Sequence, residues 1–212
     1  YQINALYERD PDLLLAGSLG RAVLFDTVLG DPMAEYNARS ESPLFTASEP
    51  RDLDVITSAA HEGLVSHPFE VDTQAFNGTE LAIVKEGESW FLNSEQRKFS
   101  EQIHPDVMSP ISGESVFGIA AQTVHPQTHL ALTYARPYLR PRDKISVNLL
   151  KQVNEQLPQL PEELYAPFRR LSEIEPDWRM KLNGRYNKHT PMRVKHFATK
   201  ARLCARSLGL AV

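Results

Sequence analysis

The sequence predicts a mixed α/β or α+β fold, in which a small mixed β-sheet with helices is followed by a helical C-terminal part. An apolar run at residues 13–16 stops at Gly-Ser and passes into an amphipathic segment, which is typical of a buried strand followed by a helix. Two further apolar runs at residues 81–92 are separated by Glu-Gly-Glu, the pattern of a β-hairpin. Helical periodicity dominates after residue 128. We therefore predict a sheet-containing domain at residues 1–125 and a helical region at residues 126–212.

The first residues predict a short helix that leads into the first strand. Residues 1–9 carry apolar side chains at helical spacing, and the Asp-Pro-Asp sequence at residues 10–12 ends this helix. Residues 13–16 form the predicted strand. Serine is a residue type that commonly caps helices, so we predict Ser18 as the N-cap of the next helix.

Two aspartates lie on the second predicted strand, which covers residues 51–56. Residues i and i+2 of a strand point the same way, so Asp52 and Asp54 present their carboxylates on one face. Residues 68–73 predict a neighbouring strand, from which Asp72 can reach the same position. Carboxylate oxygens suit Mg²⁺, which proteins usually hold with one or two carboxylates and substrate phosphates. The alternative is a solvated strand edge with no metal.

The Gly-Ser turn offers a complementary site for phosphate. Unpaired backbone N–H groups and the positive end of the helix dipole lie at a helix N-terminus, so Gly17 and Ser18 can bind a phosphate there. Arg21, one turn into the helix, can reach the same anion, although a solvent-facing arginine is the commoner arrangement. Gly-Ser after a strand is also ordinary turn chemistry, which leaves that alternative open.

Taken together, these motifs resemble the nucleotidyltransferase superfamily of the DNA-polymerase-beta type. That family has Gly-Ser at a helix start, an Asp-x-Asp strand and a third carboxylate on the next strand. The resemblance implies that Gly17 and Ser18 face the phosphates of an NTP substrate. It also implies that Asp52, Asp54 and Asp72 hold two Mg²⁺ ions and are the catalytic residues.

The segments between and after these motifs predict a loop and further strands. The spacing from Gly-Ser to Asp-x-Asp is longer than is usual in the family, and the Pro- and Ser-containing residues 30–50 predict an inserted loop there. We expect the hairpin of residues 81–92 to join the first strands in one mixed sheet. Residues 94–113 are polar and contain proline, so they predict a crossing segment or a short helix. Residues 116–124 predict a last strand, ended by His125 and the proline after it.

A basic-Asp pair precedes the first long helix of the C-terminal part. Arg142 and Asp143 stand before the apolar-periodic residues 145–153. Bacterial members of the superfamily carry a similar pair before a helix beside the active site, and this resemblance implies nucleotide binding by Arg142 and Lys144. The alternative is an Asp N-cap flanked by solvated bases. Another helix is predicted at residues 161–171.

Charge is unevenly distributed along the chain. Residues 177–212, here called the basic tail, include a predicted helix at residues 190–208 and hold nine Lys or Arg against one acid. Their net charge of +8 leaves −12 for residues 1–176, out of a total of −4. Such asymmetry can signal a polyanionic partner, so RNA is a candidate acceptor that would bind through the basic tail. The alternative is that the tail only neutralises the body.

The cysteine content and the lengths of the apolar runs limit the cofactors and the compartment that we expect for the protein. The single cysteine, Cys204, excludes an intramolecular disulfide and a Cys-based zinc cluster. No apolar run is long enough to span a membrane, and the first residues show no signal-peptide pattern. We therefore expect a cytoplasmic protein with no membrane partner.

The function that these motifs imply is metal-dependent transfer of an NMP from an NTP to an acceptor. The acceptor stays open between an RNA 3′ end, a protein side chain and a small molecule. Many small bacterial members of the superfamily belong to toxin–antitoxin pairs, and the resemblance allows that role. The competing interpretation is a non-catalytic module of the same fold that binds RNA or a partner protein through its basic tail.

Overall fold

A computed structural model describes most of the first 175 residues of the chain. The described residues are 2–31, 34, 52–56, 70–72, 81–94, 97–114, 120–136 and 141–175. They form a mixed α/β structure with two small sheets and several helices, which confirms the predicted fold class.

The chain divides into a compact unit of residues 1–175 and a second unit of residues 176–212. All described residues belong to the first unit. The boundary predicted between residues 125 and 126 stays a prediction. The helix predicted at residues 190–208 and most of the loop predicted at residues 30–50 lie outside the described residues.

The N-terminal elements follow the order that the sequence predicts. Helix α1 is Gln2–Arg9, strand β1 is Leu14–Leu15 and helix α2 is Gly17–Leu24. Helix α2 continues into a π-helical turn, Phe25–Leu29, which ends at Gly30 in the left-handed conformation. Glycine adopts this conformation without steric cost, so Gly30 stops the helix.

A five-stranded mixed sheet forms the centre of the described unit. Its strand order is β3-β2-β1-β8-β7. The bounds are Asp52–Ile56 for β2, Glu70–Asp72 for β3, Pro110–Glu114 for β7 and Ala120–Val124 for β8. Strand β1 pairs antiparallel with β2 and parallel with β8. Both residues of β1 are buried, as a short continuous apolar run in a central strand should be. The predicted last strand is confirmed at β8.

A second, three-stranded antiparallel sheet holds the predicted hairpin. Strands β4 and β5, Ala82–Glu86 and Ser89–Ser94, are joined through Gly87, and β6, Phe99–Ile103, pairs with β5. The hairpin is confirmed, but the expectation that it joins the first strands in one sheet is wrong. Residues 94–113 are not a plain crossing segment, because they contain β6, a 3₁₀ turn at Pro105–Met108 and β7. Only the two end residues of β6 are buried, and the three residues between them are polar. The alternation of apolar and polar residues that predicts a strand is therefore almost absent from its sequence.

Three helices follow the sheets in the described part of the chain. They are α3, Pro126–Tyr134, α4, Pro141–Asn154, and α5, Ala166–Glu173, the last preceded by a 3₁₀ turn at Glu162–Tyr165. One hydrophobic core joins both sheets to α3 and α5. Its buried members include Leu14, Ile56, Ile83, Leu92, Leu132 and Leu171.

The buried Arg97 ties the second sheet to the ends of two helices. Its Nη1 donates hydrogen bonds to the carbonyl oxygens of Ala135, at 2.6 Å, and Leu171, at 2.7 Å. These carbonyls lie at the C-terminal ends of α3 and α5, where the helix dipole favours a cation. The charged side chain therefore holds both helices against the segment that leads into β6.

Candidate functional site

The turn between β1 and α2 begins the candidate site. Ala16 is extended, with φ −121° and ψ −165°, and α2 starts at Gly17 with φ +57°. The N-cap position is therefore Ala16, and no side chain caps this helix end. The prediction of Ser18 as the N-cap is wrong, because the chain enters the helix one residue earlier and Ser18 lies within the first turn. Ser18 is half-exposed, so this helix start is open to solvent on that side.

Gly17 lies directly against the carboxylate of Asp54 on β2. A Cβ atom at Gly17 would lie 1.7 Å from Oδ2 of Asp54, far inside any allowed contact. The backbone N–H of Ala16 also donates a 2.9 Å hydrogen bond to the carbonyl oxygen of Asp54. Only glycine combines the positive φ with this close approach. The structure thus brings the Gly-Ser turn and the Asp-x-Asp strand into contact.

Strand register places Asp72 beside Asp54. Strands β2 and β3 are parallel, and their paired positions are Asp52 with Glu70 and Asp54 with Asp72. Neighbouring strands lie about 4.8 Å apart, a distance at which two side chains on one face can share an ion. The side chains of Asp52 and Asp72 lie outside the described part of the structure. Their convergence on one cleft with Asp54 therefore stays a prediction.

The carboxylate of Asp54 is an oxygen donor of the type that Mg²⁺ prefers. Asp54 is half-buried, and its Oδ2 occupies the space in which a Cβ of Gly17 would lie. Among the side chains that the structure describes, no group of three His, Cys, Asp or Glu is placed to hold a metal ion. A complete ligand set would therefore need the carboxylates of Asp52 and Asp72.

Arg21, on the same helix, is buried behind this contact. Its residue is only 5% exposed, so the solvent-facing arrangement favoured from the sequence is wrong. Burial lowers the pKa of Arg21, and the negative charges of Asp143 and Asp54 act in the opposite direction. An arginine keeps its proton in such a site, so Arg21 is a buried cation on which the negative charges of Asp143 and Asp54 act.

Asp143 is a buried acid of the Arg142-Asp143 motif, and the sequence predicted no binding role for it. It is 2% exposed and lies in the first turn of α4, two residues after the helix start, so it is not an N-cap. Nη1 of Arg136 lies 3.4 Å from Oδ1 of Asp143. The neighbouring Lys144 is exposed, and the side chain of Arg142 is not among those described. The acid of the Arg142-Asp143 pair is thus buried, and the base that follows it, Lys144, is exposed.

A buried chain of hydrogen bonds lies next to the turn between β1 and α2. Oγ1 of Thr123, on β8, donates to the carbonyl oxygen of Leu15 at 2.7 Å and lies 2.9 Å from Nε2 of His129. Because the hydroxyl hydrogen is already used, Nε2 donates and Nδ1 carries the lone pair. A Cβ at Gly20 would lie 2.7 Å from the Thr123 hydroxyl oxygen. The absence of a side chain at Gly20 therefore lets α2 pack closely against these hydrogen-bonded groups. No sequence motif pointed to Thr123 or His129, since both come from elements far from Gly-Ser in the chain.

His129 is held neutral by its surroundings. It is 1% exposed, and burial lowers its pKa well below the usual range. The positive charge of Arg21 lowers the pKa further, and His125 acts in the same direction. Within the described residues, Nδ1 of His129 has no hydrogen-bond partner. A neutral ring beside a buried guanidinium avoids a second positive charge in the core.

Compared with known proteins, the chain matches no family model, no curated protein and no solved structure. The resemblance to the nucleotidyltransferase superfamily therefore rests on the motifs and on the contacts described above. None of the helices in the described part of the chain is both long and apolar enough to cross a membrane.

Proposed function

We propose that the protein is a metal-dependent nucleotidyltransferase that moves an NMP from an NTP to an acceptor. The observation that carries this proposal is the contact between Gly17 and the carboxylate of Asp54, with Asp72 in register beside it. A helix start commonly binds phosphate and a carboxylate commonly binds Mg²⁺, so the contact between the two supports this proposal. A plain turn or a solvated strand edge has no need of a glycine at which a Cβ would overlap the acid.

Each candidate residue has a definite role in this proposal. The carboxylates of Asp52, Asp54 and Asp72 would hold Mg²⁺, which when bound neutralises charge on the attacking and leaving oxygens of an in-line displacement. Backbone N–H groups at Gly17 and Ser18 would bind the β- and γ-phosphates. Asp72 would accept the proton of the acceptor hydroxyl, whose oxygen forms a bond to the α-phosphorus as the bond to the β-phosphate breaks and pyrophosphate leaves. Most of the rate gain would come from positioning and charge neutralisation.

The basic residues near the candidate site differ in whether they can contact a nucleotide phosphate. Arg21 is only 5% exposed, which disfavours its direct contact with a phosphate. Lys144 is exposed on α4 and is free to contact a nucleotide phosphate, and Arg142 remains a candidate from the sequence. A cation that is exposed in the empty site loses little solvation when a phosphate replaces water.

The acceptor and the biological setting belong to the same proposal. An RNA 3′ end, a protein side chain and a small molecule all offer a hydroxyl for the displacement. We place the reaction in the cytoplasm, in keeping with the single cysteine. The resemblance to the nucleotidyltransferase superfamily allows a role in a toxin–antitoxin pair.

Labelled NTPs, Mg²⁺ and a cell extract test the proposal directly. The wild-type chain should label one acceptor, and Asp54→Asn should reduce labelling by orders of magnitude, because it removes the charge that holds the metal. Asp106→Asn, at an exposed aspartate on the 3₁₀ turn before β7, is the matched control and should label normally.

Two results would count against the enzyme. Near-normal labelling by a folded Asp54→Asn variant would remove the catalytic assignment. Binding of polyanions without metal, together with no NTP binding in the presence of Mg²⁺, would favour the non-catalytic module.

A further inference from the structure

Two side chains at the start of helix α3 hold a distant stretch of chain, residues 157–160, here called the clamped segment. This segment follows shortly after α4. Nε2 of His125 lies 3.1 Å from the carbonyl oxygen of Pro158. Nε2 of Gln127 donates to the carbonyl oxygen of Leu160 at 3.0 Å, and Oε1 of Gln127 accepts from the Leu160 N–H at 2.6 Å. The segment is thus attached to α3 by three hydrogen bonds.

The clamped segment has few other attachments in the described part of the chain. Pro158 and Gln159 are exposed, and Leu157 and Leu160 are only partly buried. The side-chain hydrogen bonds of Gln159 run to Asn154 and Leu157, so they stay within the same stretch of chain. Segments with few buried contacts open at a low free energy. The three hydrogen bonds to α3 therefore largely determine how often this segment opens.

His125 makes its contacts as a neutral ring with its proton on Nε2. It is the N-cap of α3, and its Nδ1 accepts a 3.2 Å hydrogen bond from the backbone N–H of Gln127. Because Nδ1 supplies a lone pair to this bond, the ring proton lies on Nε2 and is donated to Pro158. Protonation would place a hydrogen on Nδ1 against the N–H of Gln127. It would also place a positive charge at the positive end of the helix dipole.

The surroundings of His125 also oppose a positive charge. The residue is 8% exposed, and this burial lowers its pKa, although the carbonyl of Pro158 acts in the opposite direction. His129 lies one turn along α3 and interacts electrostatically with the same ring. Tyr165 contacts α3 through Thr128, but its pKa is raised to about 12, so it carries no charge in acid.

Charged residues on the elements around α3 do not compensate a protonated His125. Helices α2, α4 and α5 pack against α3, and the hydroxyl of Thr128 donates to the 3₁₀ turn at Pro105–Met108. The described acids on these elements and beside the clamped segment are Asp106, Asp143, Glu155, Glu162, Glu163 and Glu173. The described bases there are Arg21, Lys144, Lys151, Arg169 and Arg170. None of these side chains contacts the His125 ring.

We propose that His125 is an acid-sensitive switch, which caps α3 and holds the clamped segment when neutral and releases that segment when protonated, while the core stays folded. In the open form the ring lies in water and has an ordinary pKa of about 6.5. The stability of the closed form is fully present above that value and is lost as the pH falls toward the lower pKa of the closed form. One proton is taken up, so the opening constant rises by at most about tenfold per pH unit. The proposed nucleotidyl transfer is not needed for this switch.

A second histidine supplies a control within the same chain. His104 precedes Pro105 as His125 precedes Pro126, and its Nδ1 accepts from the backbone N–H of Asp106 at 3.3 Å. The side chain of His104 is 49% exposed, and Oδ2 of Asp106 lies 3.4 Å from Nδ1. In the part of the chain that the structure describes, His104 holds no distant segment. Water and a carboxylate are thus available to a protonated His104, and no segment depends on its cap.

Amide hydrogen exchange of the full chain, followed by NMR from neutral pH to about pH 5, tests the inference. The protection factor compares each amide with a free peptide at the same pH, so it removes the pH dependence of the exchange chemistry. The Leu160 amide should lose protection by up to about tenfold per pH unit below about pH 6.5. The amide of Leu92, on the central strand of the second sheet, should keep its protection. Constant protection at Leu160, or parallel loss at both amides, would overturn the inference.

A matched pair of variants identifies the group that titrates. His125→Asn retains a side chain that caps helices well but cannot be protonated in this range, so the protection of Leu160 should no longer depend on pH. Its level should be lower than in the wild type at neutral pH, because the bond to Pro158 is lost. His104→Asn makes the same change at the exposed cap and should keep the wild-type pH dependence. Persistence of the pH dependence in His125→Asn, or its loss in both variants, would contradict the switch.

A titration of the wild-type ring keeps the inference testable if His125→Asn does not fold. Imidazole nitrogen shifts should show Nδ1 of His125 unprotonated at neutral pH, as its bond from Gln127 requires. The ring should titrate below the ordinary histidine range, in step with the loss of protection at Leu160. A proton on Nδ1 at neutral pH, or titration of the ring with no change at Leu160, would overturn the inference.

Discussion

At the scale of single residues, His129 shows how the core constrains protonation beside the candidate site. Its Nε2 donates to Thr123, and Nδ1 is left as an unprotonated acceptor near the Arg21 cation. The burial and these neighbours hold the folded-state pKa of His129 well below that of an ordinary histidine. Protonation of the ring is therefore linked to unfolding.

The sign of this linkage gives a testable pH dependence. The unfolded chain binds a proton at His129 below about pH 6.5, whereas the folded chain binds it only at much lower pH. The stability that neutral His129 contributes to the folded chain is fully present above the pKa of the unfolded state. It is lost as the pH falls from there toward the pKa of the folded state. His129→Gln should reduce the slope of unfolding free energy against pH by up to about 1.4 kcal/mol per pH unit below pH 6.5. Urea titrations at a series of pH values below about 6.5 measure the unfolding free energy and hence this slope.

A second variant separates titration from hydrogen bonding. Thr123→Val removes the hydroxyl that His129 contacts but leaves the imidazole buried, so it should lower stability while retaining the wild-type slope. An unchanged slope in His129→Gln would show that other groups carry the acid sensitivity, among them His125, whose pKa is also lowered by burial.

At the scale of elements, the junction of β1 and α2 depends on one glycine. Gly17 has φ +57° and no room for a Cβ against Asp54, whereas Gly87 has φ +59° and nothing within 4 Å of an added Cβ. Both glycines have the left-handed backbone that an L-residue rarely adopts, but only Gly17 has atoms in the position of an added Cβ. Comparing the two positions therefore indicates how much the close approach of the helix start to the carboxylate adds to the cost of left-handed backbone.

Alanine at these two positions should give different results. Gly87→Ala should cost about 1–2 kcal/mol, the price of left-handed backbone in an L-residue. Gly17→Ala should cost more than about 3 kcal/mol, because the strand and helix must also separate. In chains that remain folded at low temperature, Gly17→Ala should lose Mg²⁺ binding and Gly87→Ala should retain it. Equal losses of stability in urea titrations would show that the contact adds nothing to backbone strain.

At the scale of the whole molecule, short-range patterns in the sequence predicted several of the elements, and long-range packing decided how the elements combine. The apolar run before Gly17, the turn at Gly87 and the apolar stretch ending at Val124 all carry local signals, and each is where the sequence places it. The contact of Gly17 with Asp54 followed from joining two motif halves. This part of the fold and of the site could be predicted from the sequence, because turn-forming residues and side-chain alternation are local properties of the sequence.

Other features had no local signal. The sequence predicts Arg21 as an ordinary polar-face residue of a helix, but packing of α2 against distant elements buries it, and the charge of the distant Asp143 acts on it. His129 lies in a helix, and its role depends on a hydroxyl from β8. The hairpin sequence also says nothing about which sheet its strands will join, because edge pairing depends on the packing of distant segments. These are the features that periodicity cannot supply.

The charge of the whole chain is strongly separated, with −12 on residues 1–176 and +8 on the basic tail. A polyanionic acceptor would be repelled by the acidic body and attracted by the tail. If RNA is the acceptor, the tail would therefore supply most of the affinity. The carboxylates near Asp54 would require metal before a phosphate-rich strand approached them.

Salt dependence measures the contribution of the tail. Each neutralised phosphate of a single strand contributes about 0.7 to the slope of log affinity against log salt, so replacing Lys195, Arg202 and Arg206 with Gln should make the slope for single-stranded RNA shallower by about 2. Transfer to RNA should fall in this variant while NTP affinity is unchanged. The control replaces three exposed bases of the body with Gln and should keep the slope; they are Lys98, Lys151 and Arg169. Equal flattening in both variants would show general charge screening, and unchanged transfer would favour a protein or small-molecule acceptor.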